Sequence, residues 1–132
     1  MKRNKLLQVL CLGLVLGIYT PARAAEKAPF YQGKTLTVII NFAAGGPTDI
    51  EGRVIAKHLA KHIPGNPSVT IQAMGGGGGV TAVNYLGEVA KPDGLTAGYL
   101  TGTLFHHQLK EPGLRVDFAK FGFISGVQGV TV

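Results

Sequence analysis

Residues 35–63 read TLTVIINFAAGGPTDIEGRVIAKHLAKHI, and the change of period inside this stretch decides the fold. Residues 35–42 (TLTVIINF) are a nearly continuous β-branched and apolar run bounded by Gly33 and by Gly45-Gly46-Pro47. Such a run predicts a strand buried on both faces, as in a parallel sheet. Thr48 and Asp49 follow as good N-caps, and the apolar positions then recur every three to four residues up to 63. At about 100° per residue, Gly52, Ile55, Ala56, Leu59, Ala60 and Ile63 share one face, while Arg53, Lys57, His58, Lys61 and His62 crowd the other. This is an amphipathic helix laid on a sheet. Ile50 and Val54 fall off its apolar face.

Working outward, Pro64-Gly65-Asn66-Pro67 stops the helix, residues 68–73 (SVTIQA) predict a second strand, and Met74 leads into five glycines at 75–79. Val80, Val83, Leu86 and Ala90 are spaced for the inner face of a second helix that ends at Lys91-Pro92-Asp93-Gly94. Residues 95–101 predict a third strand, Gly102-Thr103 a turn, 104–109 a short helix, and 121–125 a further strand. Strands alternating with helices through short connections give an α/β fold, a parallel βαβαβ sheet joined by right-handed crossovers with helices on both faces. The strand-to-helix loops, 42–48, 74–79 and 101–103, then share the carboxyl edge of the sheet. In open α/β sheets ligands bind at that edge.

The chain has 132 residues, room for one domain at most, and carries 13 Lys+Arg against 7 Asp+Glu, a formal +6. Much of that excess lies at the N-terminus. Lys2, Arg3 and Lys5 precede an apolar stretch at residues 6–18, and Ala22-Arg23-Ala24 is a small-x-small ending. This predicts a signal peptide over residues 1–24 with cleavage after Ala24. An uncleaved anchor is the other reading, but the stretch is short of the ~20 residues a membrane-spanning helix needs. Cleavage removes Lys2, Arg3, Lys5, Arg23 and the single cysteine, Cys11, leaving 9 basic against 7 acidic residues over 25–132. A net +2 without a thiol argues against nucleic acid as a partner and leaves folding to an ordinary hydrophobic core.

In the first loop, Gly45 and Gly46 let a ligand approach the main chain, and the following helix start offers unpaired amides and a partial positive charge suited to a small anion. Thr48 and Asp49 either cap the helix or face the cleft. The glycine run at 75–79 is a second anion cradle, or a flexible turn. It is not a Walker A loop, since Val80-Thr81 stands where Gly-Lys-Ser/Thr is required, and the dinucleotide fingerprint fails because Val80 takes its last glycine position. His58 and His62 stand at i and i+4 on a lysine-rich helix face with no third ligand in view, so no metal is expected. His106-His107, near the third loop, either place one imidazole at the cleft or, the favoured reading, have one ring packed and one solvated. No G-x-S-x-G elbow, Ser-His-Asp set or paired loop carboxylates are present, which favours binding over catalysis and implies no cofactor. An exported α/β enzyme that takes a nucleotide or phosphate at the glycine run is the alternative.

Taken together, "FYQGKTLTVIINFAAGGPTDIEGRVIAKHLAKHIPGNPSVTIQAMGGGGGVTAVNYL" (30–86) and "KPDGLTAGYLTGT" (91–103) resemble the N-terminal part of the Bug family, the periplasmic substrate-binding receptors of tripartite tricarboxylate transporters. Three elements carry the resemblance: "FAAGGPTD" leaving the first strand, the glycine loop after the second, and "PDG" before the third. The resemblance implies a two-lobed, Venus-flytrap receptor that is a periplasmic monomer, not an enzyme, and that delivers a small carboxylate to membrane transporter subunits. Family members hold the carboxyl group largely through backbone amides and ordered waters. Carried over by position, the implied ligand contacts are Phe42, Ala44, Gly45, Gly46, Thr48, Asp49, Gly77, Gly78, Gly79, Thr101 and Thr103. The glycine loop departs from the usual Asn-x-Pro-Gly-Ala-Gly-Gly, because Gln72-Ala73-Met74 here precedes a pure glycine run. Family chains are more than twice as long, so residues 25–132 correspond to part of the first lobe, and a truncated gene product without function is a further reading.

Overall fold

The computed structural model describes residues 28–126. The leader expected over 1–24 and its cleavage site lie outside the described residues. The chain forms β1 (Thr35–Ile40), α1 (Pro47–Ala60), β2 (Ser68–Ala73), a 3-10 turn (Gly77–Gly79) running into α2 (Val80–Glu88), β3 (Thr96–Tyr99), α3 (Thr103–Gln108) and a second 3-10 turn (Phe118–Lys120). The fold is α/β, with a three-stranded parallel open sheet in the order β2-β1-β3.

β1 is central, paired with β2 from Thr35↔Ser68 to Ile40↔Ala73 and with β3 from Thr37↔Thr96 to Ile40↔Tyr99. Its Leu36, Val38, Ile39 and Ile40 are all buried, which is why its sequence shows no alternation. β2, by contrast, alternates, exposing Ser68, Thr70 and Gln72 and half-burying Val69, Ile71 and Ala73. On one face, α1 packs through Ala56 onto Leu36 and Val38, with Val69, Ile71, Ala97 and Tyr99 around them. Gly52 sets the depth of that contact: a Cβ there would stand 2.8 Å from both Ile40 Cδ1 and Tyr99 Cδ1. On the other face, Leu86 of α2 lies over Gly98, its Cδ1 2.5 Å from where a Cβ would be. The first crossover moves from β1 to one side and the second returns past β1 to the other. Crossovers of one hand then put α1 and α2 on opposite faces, and the strand order reverses between β1 and β3, the switch point at which α/β sheets take their ligands.

Several boundaries differ from the sequence expectation. β1 stops at Ile40; Asn41 N still reaches Tyr99 O at 3.4 Å, and the Asn41 side chain then takes up Thr101. α1 is capped by Gly46 and opens on Pro47, so Thr48 and Asp49 lie inside its first turn. Proline loses nothing at this position, where its missing N–H has no helical partner. α1 ends at Ala60 and not at 63; Lys61, His62 and Ile63 form a tightened turn through bonds to His58, Leu59 and Ala60 carbonyls, and Ile63 still packs on the core. β3 is shorter than 95–101. The strand expected at 121–125 does not form. Phe121 instead packs edge-on against Phe118, with its ring beside Gly87 of α2, while Phe123 and Ile124 stay exposed.

Candidate functional site

Asn41 organises the switch point. It is fully buried; its Nδ2 donates to Thr101 O at 2.8 Å and its Oδ1 accepts from Thr101 N at 3.0 Å. One carboxamide thus joins the exits of β1 and β3 where the ladder has ended. Asn41 is absent from the residues picked out of the sequence, and its one signal there is a polar group closing an otherwise apolar strand. Thr101 serves this bridge through its backbone.

Beyond Asn41, Phe42, Ala43, Ala44 and Gly45 form an exposed rim, and Gly46 is half-buried. Gly45 adopts φ +85°, and its N–H donates to Asp49 Oδ2 at 2.9 Å. Arg53 Nε donates to the same oxygen at 2.9 Å. Asp49 is 3% exposed, so its carboxylate is tucked under the loop that it shapes. Between the two sequence readings of Asp49, the geometry shows a carboxylate reaching back to the loop amide before the helix. Its second oxygen, Oδ1, is buried without a hydrogen-bond partner among the described residues, as is the hydroxyl of Thr103. Thr48 is half-buried and makes no capping bond.

The Arg53 hydrogen bond, then the Gly45 amide, hold the Asp49 carboxyl below its ordinary value of 3.8. A carboxyl whose folded-state value is depressed contributes stability above its unfolded value and loses it as pH falls through the folded one. Asp49→Asn is therefore expected to be less stable than the parent at pH 7, with the gap closing as the pH is lowered through and below 3.8. Urea midpoints measured from pH 7 down to pH 2.5 test this; a gap independent of pH contradicts it.

The glycine run crosses this loop. Met74 N donates to Ile40 O at 2.8 Å, extending the parallel ladder by a step, and a Cβ on Gly75 would stand 3.1 Å from Ala43 N. Gly76, Gly77, Gly78 and Gly79 all have positive φ, at +125°, +54°, +64° and +102°, a run of conformations that strongly favours glycine. Gly79 is buried, packed on the Asn41 side chain, and its N–H donates to Gly76 O at 2.9 Å. The N–H groups of Gly77 and Gly78 bond to no described residue. Both residues are exposed at the head of α2, where helix geometry favours an anion.

The third loop brings Gly102, at φ +74°, and buried Thr103 to the start of α3. From α3, His106 Nε2 reaches Gly78 O at 3.0 Å, while His107 lies 6.5 Å from the Phe118 ring. His58 on α1 and His62 in the turn that follows it are exposed, and among the described residues no group of three or more His, Cys, Asp or Glu could hold a metal ion. No helix among the described residues is long and apolar enough to cross a membrane. A shallow groove lined by Lys57, Ala60, Val69 and Ile71 lies between α1 and the β2 edge, away from the loops. Under α1, burial and then the Glu51 carboxylate push the Tyr99 phenol up to about 12, so it stays neutral near pH 7.

The sequence candidates thus divide by what their polar groups already do. Gly45, Asp49, Gly79 and Thr101 are committed to internal bonds. The Gly77 and Gly78 amides bond to no described residue, and Phe42 and Ala44 are exposed on the first loop. Searches against protein-family models, curated proteins and solved structures found no match to this chain.

Proposed function

We propose that this domain is the carboxylate-binding part of a periplasmic solute receptor, a lobe that takes a small carboxylate at its carboxyl edge and delivers it to membrane transporter subunits of the tripartite tricarboxylate type. The reading rests on one observation above the others: the unbonded amides of Gly77 and Gly78 stand at the head of α2, on the sheet edge where the strand order reverses. Backbone amides at a helix start bind carboxylate without a cationic side chain, which fits loops that contain no Lys or Arg. The buried, unpartnered Asp49 Oδ1 and Thr103 hydroxyl support a site completed by donors from water or ligand, since leaving such groups unpaired costs about 1–3 kcal/mol each. In this reading a second lobe closes over the edge and supplies the remaining contacts, and the site does no chemistry.

Titration calorimetry of the full-length protein against di- and tricarboxylates is the test. At least one is expected to give saturable heat. No heat with any of them refutes the proposal, and protection from thermal unfolding by NAD or ATP, with carboxylates inert, would assign the edge to a nucleotide instead.

A further inference from the structure

We propose that His106 is a positioning residue that latches the glycine run in its observed conformation; that this conformation serves a carboxylate rests on the receptor reading above. A carbonyl oxygen only accepts, so the 3.0 Å contact between His106 Nε2 and Gly78 O places the hydrogen on Nε2. In a trans peptide the C=O and the following N–H point in opposite directions. Turning Gly78 C=O toward α3 therefore turns Gly79 N–H the other way, toward Gly76 O, where it donates at 2.9 Å. One imidazole bond thus sets a peptide plane inside the run. Met74 on Ile40 O and Gly79 against Asn41 anchor the ends of the run. Between them Gly76 O accepts from Gly79 N–H at 2.9 Å and from Thr81 N–H at 3.4 Å, and Gly77 O accepts from Val80 N–H; the His106 bond adds a hold on the Gly78 carbonyl. The imidazole also lies against Gly78 itself, its Cε1 3.2 Å from where a Cβ would be, so a side chain at 78 would press on the ring.

The latch is indifferent to the charge of the ring. Neutral His106 with hydrogen on Nε2 and the imidazolium both donate to Gly78 O. The run offers no titratable side chain and the first turn of α2 no acidic one; on α3 and its exit the charged or titratable neighbours are His107, Lys110 and Glu111.

The test uses the full chain, with amide hydrogen exchange of residues 75–79 followed by NMR without ligand, and citrate affinity measured at pH 5.5 and pH 8. His106→Ala is expected to speed exchange of the Gly79 amide about tenfold and to weaken citrate by a similar factor at both pH values. His106→Gln, which returns an N–H donor at nearly the same reach, recovers most of both effects, and His107→Ala changes neither. Unchanged exchange in His106→Ala overturns the latch. So does an affinity loss confined to pH 5.5 that His106→Gln fails to recover, because it would assign the imidazole to charge recognition. If the parent binds no carboxylate while exchange responds as expected, the latch stands and the receptor reading falls.

Discussion

Gly79→Ala is expected to lower stability by about 2–5 kcal/mol, from the left-handed backbone penalty of about 1–2 kcal/mol added to about 1–3 kcal/mol of overpacking. Gly79 carries φ +102° and its Cα rests on the Asn41 carboxamide, whose Nδ2 stands where a Cβ would go. The obstacle is not the loose end of a flexible chain, because both ends of that carboxamide are bonded to Thr101. A loss of this size is a large share of the roughly 5–15 kcal/mol that stabilises an ordinary domain. Gly102→Ala is the control: Gly102 has φ +74° but nothing within 4 Å of an added Cβ, so only the backbone penalty applies. Urea unfolding of both variants decides the matter, and equal costs would mean that the Asn41 contact is not tight.

What the sequence made legible follows from the range of the interactions involved. β2 is found at residues 68–73, as read from the sequence, because Pro64-Gly65-Asn66-Pro67 and the glycine run bracket it. The α1 face is legible through Gly52 and Ala56, both buried. Features set by distant contacts are not legible. Asn41 and Thr101 are 60 residues apart, and nothing in the run VIINF says that its asparagine bridges two strands. The Asp49–Arg53 pair has ordinary helical i, i+4 spacing, yet only the turn of the loop shows that Gly45 shares the same oxygen. His106 and His107 are adjacent, and the rotation of α3 selects which one meets the glycine run. At 121–125 the apolar pattern was present, but aromatic packing on α2 won over strand pairing. Ile50 and Val54, which fell off the apolar face of the wheel, are exposed, at 59% and 54%.

Asn41→Ala is the second large effect expected, and it also tests the first. Truncation leaves the half-buried Thr101 N–H and C=O without their partner, and an unsatisfied group costs up to about 1–3 kcal/mol when fully buried, for a total of at most about 2–6 kcal/mol in urea unfolding. It also removes Nδ2 and Cγ, the two nearest atoms that an alanine at position 79 would strike, and leaves the backbone oxygen of residue 41, 3.2 Å from that Cβ. In the Asn41→Ala background, Gly79→Ala should therefore cost little more than its backbone penalty of about 1–2 kcal/mol. Residues in contact commonly show such non-additivity, at about 0.5–3 kcal/mol, whereas independent sites add to within about 0.5 kcal/mol. A double-mutant cycle in which the two losses simply add would show that the glycine run and the β1–β3 bridge are separate structures. A cycle in which the second loss shrinks would show that Asn41 is the floor on which the run is laid, so that the switch point and the amides above it form one unit.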